Sequence, residues 1–322
     1  MLQNLKVTSL NQLALICGLP IPTVLNKTNR ISSIINGLAL TTHLPTTTNL
    51  NILSMDIGIK NFSYCQMDGI DISRESGPSR ICKWSKFDLH LKYAPTFRPL
   101  VAPESTIDTK RYLNHLCTSL IDDIVVLSTS RPHIIVMEMQ RTRSTGNRQT
   151  LPNVLLNYTF ENILYSTLYN LSISNPKYSS LLIVPMHSAS MLSFWINRFI
   201  TRPSQKKYSK HIRTELVYSW LDSLYLLDDF SFTSEKSRNK QLLAHLQIRD
   251  MSNNKIDDLV DSLLYNLTIK AQFTNQIHLS RLLDGGDIEG FVENKLYEHI
   301  QLIKPVVDKL GLELVEDYKK FC

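Results

Sequence analysis

The clearest pattern along the chain is a set of short apolar runs bounded by polar or turn-forming residues. Runs of this length that are rich in β-branched and aromatic residues are typical of strands buried in a sheet. The first two runs are joined by a tight turn at Gly58, where the absence of a side chain lets the backbone turn sharply. The predicted strands cover residues 50–57, 61–67, 81–89, 133–138 and 181–185.

Longer segments between and after these runs repeat apolar residues at the spacing of an amphipathic helix. Leucine and isoleucine recur every three or four residues in 107–127, and the segments 152–171 and 256–270 are predicted to be helical as well. Three strands followed by helix, strand, helix, strand and helix is the order of an α/β fold with a mixed sheet. We therefore expect a five-stranded mixed sheet flanked by helices.

The same pattern divides the chain into four parts. Near the N-terminus, one helix is predicted over 9–17 and a second over about 29–35, ending at Gly37. The next segment is rich in threonine and contains Pro45, which is typical of a linker. The predicted parts are a helical module (1–40), a linker (41–49), the sheet domain (50–275) and a helical extension of mixed charge (276–322).

Basic residues concentrate in two segments, although the formal net charge is only +6. Neither segment, 141–148 or 198–213, contains an acidic residue. Clustered positive charge suits a polyanion such as nucleic acid better than a diffuse surplus does, and the alternative is a solvated surface. The basic residues concerned are Arg141, Arg143, Arg148, Arg198, Arg202, Lys206, Lys207, Lys210 and Arg213.

Composition argues against several classes of protein. The five cysteines are widely spaced and form no CxxC pair, which argues against a disulfide framework or a zinc site. No apolar run approaches the length of a membrane span. Residues 1–55 contain no Asp or Glu, as in mitochondrial targeting regions, although a small folded module would fit equally well.

Acidic residues stand at three well-separated points, each at the end of a predicted element. Asp56 ends the first strand, Glu138 ends the fourth, and Asp257, Asp258 and Asp261 open the helix over 256–270. If the first and fourth strands are neighbours, their carboxylates emerge at one edge of the sheet. Residue 261 shares a helix face with either 257 or 258, so the sequence does not choose between these two.

Carboxylates held together repel one another, and hard divalent cations relieve that repulsion because they prefer oxygen ligands. Two Mg²⁺ or Mn²⁺ ions about 4 Å apart can activate water and stabilise the leaving oxygen of a phosphodiester. Each acid also has a simpler interpretation: Asp257 and Asp258 as a helix N-terminal pair, Glu138 as an ion-pair partner of Arg141, and Asp56 as turn chemistry. The co-occurrence of all three in order favours the metal site.

The same residues carry a resemblance to a known family. Residues 52–65, centred on Asp56-Ile57-Gly58, resemble the first motif of the fungal mitochondrial Holliday-junction resolvases. These are cruciform-cutting endonucleases related to bacterial RuvC, within the ribonuclease H-like superfamily. Residues 137–144 are similar to the second motif, a Glu followed by Gln-Arg-x-Arg, and 255–264 resemble the third, Asp-Asp-Leu-x-Asp-Ser. The match spans about 50–270, and residues 1–38 are compatible with the SAP-like DNA-binding module of the family.

The resemblance implies a ribonuclease H-like fold and a homodimer that makes paired nicks in four-way junction DNA in the mitochondrial matrix. By position, Asp56, Glu138, Asp258 and Asp261 would hold Mg²⁺, with Mn²⁺ able to substitute and Asp257 as the alternative ligand. One lysine of the basic segment 198–213 would also stabilise the charged transition state, and we expect this lysine to be Lys207. The expected DNA-binding residues are Lys60, Gln140, Arg141, Arg143, Lys206, Lys207, Lys210 and Arg213.

Other functions remain open at this point. A different nuclease of the same superfamily, such as one that cuts RNA–DNA hybrids, is the nearest alternative, followed by a junction-binding protein without catalysis. An actin-like sugar kinase or ATPase also uses Asp-x-Gly after a strand, and Asp284-Gly285-Gly286-Asp287 could imitate a nucleotide-binding glycine pair. However, the second Asp-x-Gly hairpin of that class is missing, and the basic segments have no use there.

Overall fold

In the computed structural model, a five-stranded sheet forms the centre of the molecule. The structure describes residues 2–20, 26–44, 49–73, 79–140, 152–201, 206–224, 226–248 and 256–321, apart from the side chains of 206–208. Each predicted strand is confirmed to within three residues at either end. The strands are β1 (Leu50–Asp56), β2 (Phe62–Ile70), β3 (Arg80–Phe87), β4 (Ile134–Glu138) and β5 (Leu182–Met186).

The strand order is β3-β2-β1-β4-β5. The pairs β1–β2 and β2–β3 are antiparallel, whereas β1–β4 and β4–β5 are parallel. The predicted mixed sheet is thus confirmed, and β1 and β4 are the neighbours that a shared acidic site requires. Parallel strands need a crossover connection, and the helices between the strands of the second half supply it.

Most of the helices extend further than the sequence pattern predicts, whereas the α-helix predicted over 107–127 ends at Ile121 and continues as a π-helical turn over Asp122–Val126. The segment predicted as 256–270 forms a helix that continues to Leu282, so the predicted boundary after residue 275 falls inside one helix. Within the described residues, no helix combines the length and apolar character that crossing a membrane requires. The helices are α1 (Val7–Ile16), α2 (Lys27–Leu38), α3 (Leu89–Tyr93), α4 (Thr106–Ile121), α5 (Pro152–Ser174), α6 (Ser188–Leu192), α7 (Lys206–Ser223), α8 (Arg238–His245), α9 (Asp257–Leu282), α10 (Ile288–Lys309) and α11 (Glu316–Lys319).

Helices cover both faces of the sheet, which gives two hydrophobic cores. On one face, strand residues such as Ile52 and Val136 pack in a core that includes α9, α7, α10 and the N-terminal helices. On the other face, Leu53 and Ile135 pack with α4 and α5. Because side chains alternate across a strand, Asp56 and Glu138 lie on the α9 face, two residues beyond Ser54 and Val136.

Polar hydrogen bonds set the position of α9 on the sheet. Asn266 Nδ2 donates to the carbonyl oxygens of Ile52 (2.8 Å) and Cys65 (3.0 Å), and Ser54 Oγ donates to the carbonyl of Ser262 (2.7 Å). The indole nitrogen of Trp84 donates to the carbonyl of Leu259 (3.0 Å). These bonds are directional and buried, so they fix how far along the strands the helix lies.

The N-terminal helices pack directly on the body of the protein. Asn275 and Gln276 on α9 donate to the carbonyl oxygens of Ile16 (2.8 Å) and Cys17 (2.6 Å) at the end of α1. The prediction that Gly37 ends the second helix is wrong, because α2 continues to Leu38. A Cβ at that position would lie 2.7 Å from the side chain of Leu19, so the glycine permits close packing inside the helix.

Candidate active site

Asp56 and Glu138 lie side by side at the edge of the sheet. The parallel register pairs Met55 with Met137, so the next residue on each strand is the acid. Their side chains are hydrogen-bonded to each other. Burial raises the pKa of Asp56 well above its usual range, and the charge of Glu138 and this hydrogen bond raise it further.

The same row of the sheet continues through two more strands. Asp56 is paired with Ser63 on β2, and Ser63 with Lys86 on β3. Directly paired residues point to the same face of a sheet. Lys86, Ser63, Asp56 and Glu138 therefore form one polar row under the N-terminal end of α9.

The first turns of α9 bring two more carboxylates over this row. Asp258 and Asp261 both contribute to the raised pKa of Asp56, behind burial and Glu138. The Ser63 hydroxyl donates to the backbone carbonyl of Asp258 at 2.6 Å, which ties this turn of α9 to β2. The structure thus brings Asp56, Glu138, Asp258 and Asp261 within electrostatic reach of one another, and Asp258 is ion-paired with Lys86 of the polar row, whereas Asp257 is paired with Lys210 on α7.

Cationic side chains face each acidic residue of α9. The ammonium group of Lys86 is ion-paired with Asp258, and only 3% of the Lys86 side chain is exposed. Arg213 Nη1 on α7 lies 2.7 Å from the Asp261 carboxylate, and this guanidinium is also buried. Lys210, one turn earlier on α7, pairs with Asp257 at 2.8 Å but is 61% exposed. The cations of the inner two pairs are therefore shielded from water, whereas Lys210 is not.

The side chains of Asp261 and Tyr265 are both largely buried, and both lie near other acidic groups of the site. Burial raises the pKa of Asp261 to about 7, with Arg213 opposing the shift and Glu138 and Asp258 adding to it. Burial also raises the pKa of Tyr265, and the charges of Glu138, Asp56 and Asp261 raise it further. The hydroxyl of Tyr265 is buried without a hydrogen-bond partner among the described residues, whereas both carboxylate oxygens of Asp261 lie 2.7 Å from Arg213 Nη1.

The Glu138 carboxylate is oriented by the residue two positions later. The side-chain amide of Gln140 donates both to Glu138 Oε2 (2.7 Å) and to the carbonyl of Ile57 (2.8 Å). The backbone N–H of Gln140 in turn donates to Glu161 on α5 at 2.9 Å. Burial raises the pKa of Glu161, although the Gln140 bond opposes the shift. Gln140 is therefore bound to the acidic site itself, and the DNA contact expected of it remains a prediction.

The remaining expected DNA-binding residues lie in different surroundings. Lys60 is exposed in the turn after β1. Lys206 and Lys207 form the first residues of α7, and their side chains lie outside the described part. Arg141 and Arg143 also lie outside the described residues. The burial of Arg213 against Asp261 favours a role within the acidic site over the phosphate contact that the sequence analysis expects.

The oxygen donors of this site fit a hard divalent cation. Four carboxylates influence one another in partly buried positions, and the buried Tyr265 hydroxyl lacks a hydrogen-bond partner among the described residues. Mg²⁺ takes oxygen ligands of this kind and retains several waters. Across the described ranges, no three His, Cys, Asp or Glu side chains already stand in a metal-holding arrangement. The acids of α9 are instead closed onto Lys86 and Arg213.

Three residues of the site were missed by the sequence analysis. Lys86 could have been found from strand alternation, since it follows Trp84 at the spacing of the buried face. Tyr265 follows Asp261 by four residues and so shares its helix face. Glu161 is the one acidic residue in the sequence of α5, which is otherwise uncharged. None of the three is distinctive without the register of the sheet and the position of α9.

Comparison with known proteins identifies relatives of this chain. A family model described as mitochondrial resolvase Ydc2/RNA splicing MRS1 matches residues 52–279. The mitochondrial cruciform cutting endonuclease 1 of Saccharomyces cerevisiae is 26% identical over 284 residues, covering 77% of this chain and 78% of that protein. The protein of the same name from Schizosaccharomyces pombe is 26% identical over 225 residues, covering 66% and 74%.

The fold comparison agrees with the sequence relatives. The crystal structure of the yeast mitochondrial Holliday junction resolvase Ydc2 matches with a TM-score of 0.54 at 19% identity, covering 89% of this chain and all of that one. The ribonuclease H-like fold expected from the motifs is thereby confirmed. Since the family model covers well over half of the chain, and contains all five acids predicted from the sequence, this protein belongs to the mitochondrial resolvase Ydc2/RNA splicing MRS1 family.

Proposed function

We propose that this protein is a Mg²⁺-dependent endonuclease that resolves four-way DNA junctions in the mitochondrial matrix. The observation that carries the proposal is the meeting of Asp56, Glu138, Asp258 and Asp261 at one edge of the sheet. The relatives are named as mitochondrial cruciform cutting endonucleases, which supports both the substrate and the compartment.

The four carboxylates would hold the metal, with Asp258 preferred to Asp257 because Asp258 contacts Lys86 of the polar row, whereas Asp257 is paired with the exposed Lys210. Bound Mg²⁺ would activate a water molecule and stabilise the leaving oxygen of the scissile phosphodiester. The chain itself orients its ligands: Gln140 fixes the Glu138 carboxylate, and Ser63 holds the first turn of α9. Burial of the site under α9 strengthens the electrostatic interactions within it.

Basic residues on both sides of the site would hold the phosphate backbone. Lys206, Lys207 and Lys210 at the start of α7 stand in the helix whose Arg213 reaches Asp261, so a strand lying across the acids would meet this segment. Lys60, Arg141 and Arg143 follow the two acid-bearing strands directly. Phosphate contacts of this kind provide affinity without reading sequence, as suits an enzyme that recognises a shape.

A homodimer is supported by one face of α5. Its exposed side chains include large apolar and aromatic groups, and the sequence of α5 carries no charge other than Glu161, which faces the acidic site. An exposed helix without charges on its outer face is unusual in a solvated surface, and a second copy can cover it without like-charge repulsion. The exposed residues are Leu155, Tyr158, Tyr165, Tyr169 and Ile173.

A cleavage assay tests the proposed function. Purified protein is mixed with a synthetic four-way junction, a plain duplex of the same arm sequence and an RNA–DNA hybrid, each with Mg²⁺ or with EDTA. We expect paired nicks near the branch point of the junction, dependent on Mg²⁺, and an intact duplex and hybrid. Binding of the junction without cutting would instead identify a non-catalytic binder, and preferential cutting of the hybrid would identify a different nuclease.

The family description also includes an RNA splicing protein, and the acidic site bears on this second role. A protein that only binds RNA has no use for four carboxylates in one partly buried cluster, because their mutual repulsion destabilises the fold. Retention of all the acids therefore favours the nuclease. The actin-like kinase considered above is excluded by membership of this family.

A further inference from the structure

Lys86 is the most deeply buried cation of the acidic site. Its side chain is only 3% exposed, and its ammonium group is ion-paired with Asp258. Strand alternation places it on the α9 face with Trp84, whose indole donates to α9 itself. A buried ammonium is costly unless it is paired and hydrogen-bonded, so this contact is an integral part of the folded site.

The approach of Lys86 to Asp258 is fixed from two directions. Ser63 is paired with Lys86 across the β2–β3 ladder, and the Ser63 hydroxyl donates to the backbone carbonyl of Asp258. The two partners of the ion pair are therefore attached to the same strand pair. By contrast, the Lys210–Asp257 pair is largely open to water, where ion pairs contribute little.

The ion pair between Lys86 and Asp258 also competes with the binding of a metal ion by Asp258. The carboxylate oxygen that accepts from Lys86 is unavailable to a cation as long as that contact persists. Removing a positive charge from the immediate surroundings of a cation site strengthens its hold on the cation, especially in a partly buried site. The contact thus stabilises the metal-free fold at the expense of metal affinity.

We propose that Lys86 is a positioning residue that holds the Asp258 carboxylate in the metal-free protein and competes with the divalent cation for it. This inference rests on the proposed function, because it assumes that Asp258 is a metal ligand. In this role, the Lys86 ammonium group offsets the repulsion among the carboxylates when no metal is bound, and so stabilises the folded site. Arg213 provides the equivalent contact for Asp261 on the other side of the cluster.

The test replaces Lys86 with methionine, which keeps the volume and the apolar stem but removes the charge. At fixed pH, we expect Lys86→Met to bind Mn²⁺ about tenfold more tightly than the wild type by calorimetry. In EDTA, its melting temperature should fall, and saturating Mg²⁺ should raise that temperature by more than it does in the wild type. Lys83→Met on the same strand, where Lys83 lies on the opposite face and reaches Ser128, is the matched control and should change neither quantity.

A second variant keeps the inference testable if the first folds poorly. In Lys86→Met/Asp258→Asn, the unpaired carboxylate is removed together with its cation, so the double variant should recover much of the lost melting temperature in EDTA. No recovery would overturn the inference, as would Mn²⁺ affinity in Lys86→Met that is equal to or weaker than wild type. Failure of the wild-type protein to bind Mn²⁺ at all would instead overturn the proposed metal-dependent function.

Discussion

At the scale of single residues, the site consists of acids that are each paired with a specific neighbour. Asp56 shares a hydrogen bond with Glu138, Asp258 faces Lys86, and Asp261 faces Arg213. The acids follow from the sequence because they stand at the ends of recognisable elements. Their neighbours do not, since Lys86 and Arg213 come from strands and helices far away in the chain.

Replacement of Asp258 separates binding from catalysis. We expect Asp258→Asn to lower the rate of junction cutting at least about a hundredfold, because a metal ligand matters more than the groups behind it. Junction affinity in a gel-shift assay with Ca²⁺ or EDTA should stay within a few-fold of wild type, since the phosphate contacts remain. The control is Asp222→Asn, which changes an exposed residue of α7. If Asp258→Asn folds but loses both binding and cutting, the assigned role of Asp258 is contradicted.

The Tyr265 hydroxyl gives a prediction about stability. It is buried without a partner among the described residues, and such a group costs free energy that its removal recovers. We expect Tyr265→Phe to raise the free energy of unfolding of the metal-free protein by about 1 kcal/mol in urea titrations. A destabilised variant would mean that the hydroxyl has a partner that stabilises the fold.

At the scale of elements, the position of α9 decides whether the acids meet. The sequence predicts the start of this helix correctly but not its length, because polar residues such as Asn266, Gln272 and Asn275 interrupt the apolar pattern. In the structure these residues are buried, and Asn266 and Asn275 donate to backbone carbonyls of the sheet and of α1. Polar side chains that the hydrophobic pattern predicts to be exposed are therefore the groups that hold α9 against the sheet and against α1.

A second element, the loop before α4, is held by a single carboxylate. Asp108 accepts the backbone N–H groups of Leu100 (2.8 Å) and Val101 (2.8 Å) and pairs with Arg111. Burial alone would raise the pKa of Asp108, but these hydrogen bonds outweigh it, and the pKa lies below its ordinary value. The charged form is therefore the one that stabilises the folded loop.

This pKa shift predicts a pH dependence of stability. The contribution of Asp108 is fully present above its unfolded-state pKa of about 4 and is lost as the pH falls toward the lower folded-state value. Asp108→Asn should therefore melt at a lower temperature than wild type at pH 7, and the difference should shrink below about pH 4. Glu104→Gln in the same loop is the control. A difference that stays constant with pH would show that the charge is not involved.

At the scale of the whole molecule, the proposed DNA binding and dimer depend on where charged and apolar side chains lie on the surface. The net charge of +6 is modest, so affinity depends on where the basic residues lie. The structure gathers the start of α7 beside the acidic edge, and α5 carries an uncharged outer face on the other side of the sheet. Both features concern surfaces, which the core-forming pattern of the sequence does not specify.

The phosphate contacts predict a change in salt dependence. Lys206→Ala/Lys207→Ala should weaken junction binding and reduce the slope of log affinity against log salt by about two, one counterion for each lost contact. The control is Lys319→Ala/Lys320→Ala, which changes two exposed lysines that are consecutive in the sequence and distant from α7 along the chain. An unchanged slope in the first variant would remove those two lysines from the interface.

The α5 face predicts the effect of a charge on assembly. Tyr165→Glu/Tyr169→Glu should convert a dimer into a monomer in sedimentation velocity, because two carboxylates per copy would be buried against each other across a two-fold axis. Paired nicking should fall while single-copy folding, measured by circular dichroism, is retained. Tyr297→Glu, an exposed tyrosine on α10, should leave the dimer intact. A dimer that persists in the first variant would move the interface elsewhere.

The sequence by itself determined the elements and the chemistry at their ends. Apolar runs of strand length and a helix that opens with three acids are local properties, so the five strands, the mixed sheet and the candidate acids Asp56, Glu138, Asp257, Asp258 and Asp261 follow from short stretches of chain. The family resemblance rests on the same stretches.

Only the tertiary structure decided what each acid faces. The row from Lys86 through Ser63 and Asp56 to Glu138 depends on the register of four strands, and the choice between Asp257 and Asp258 depends on how α9 lies on the sheet. Register is set by pairing between separate strands, and the docking of α9 is set by contacts between residues more than a hundred positions apart, such as Asn266 with Ile52. Periodicity within a segment carries no information about such contacts, and this is why Lys86 emerged only from the fold.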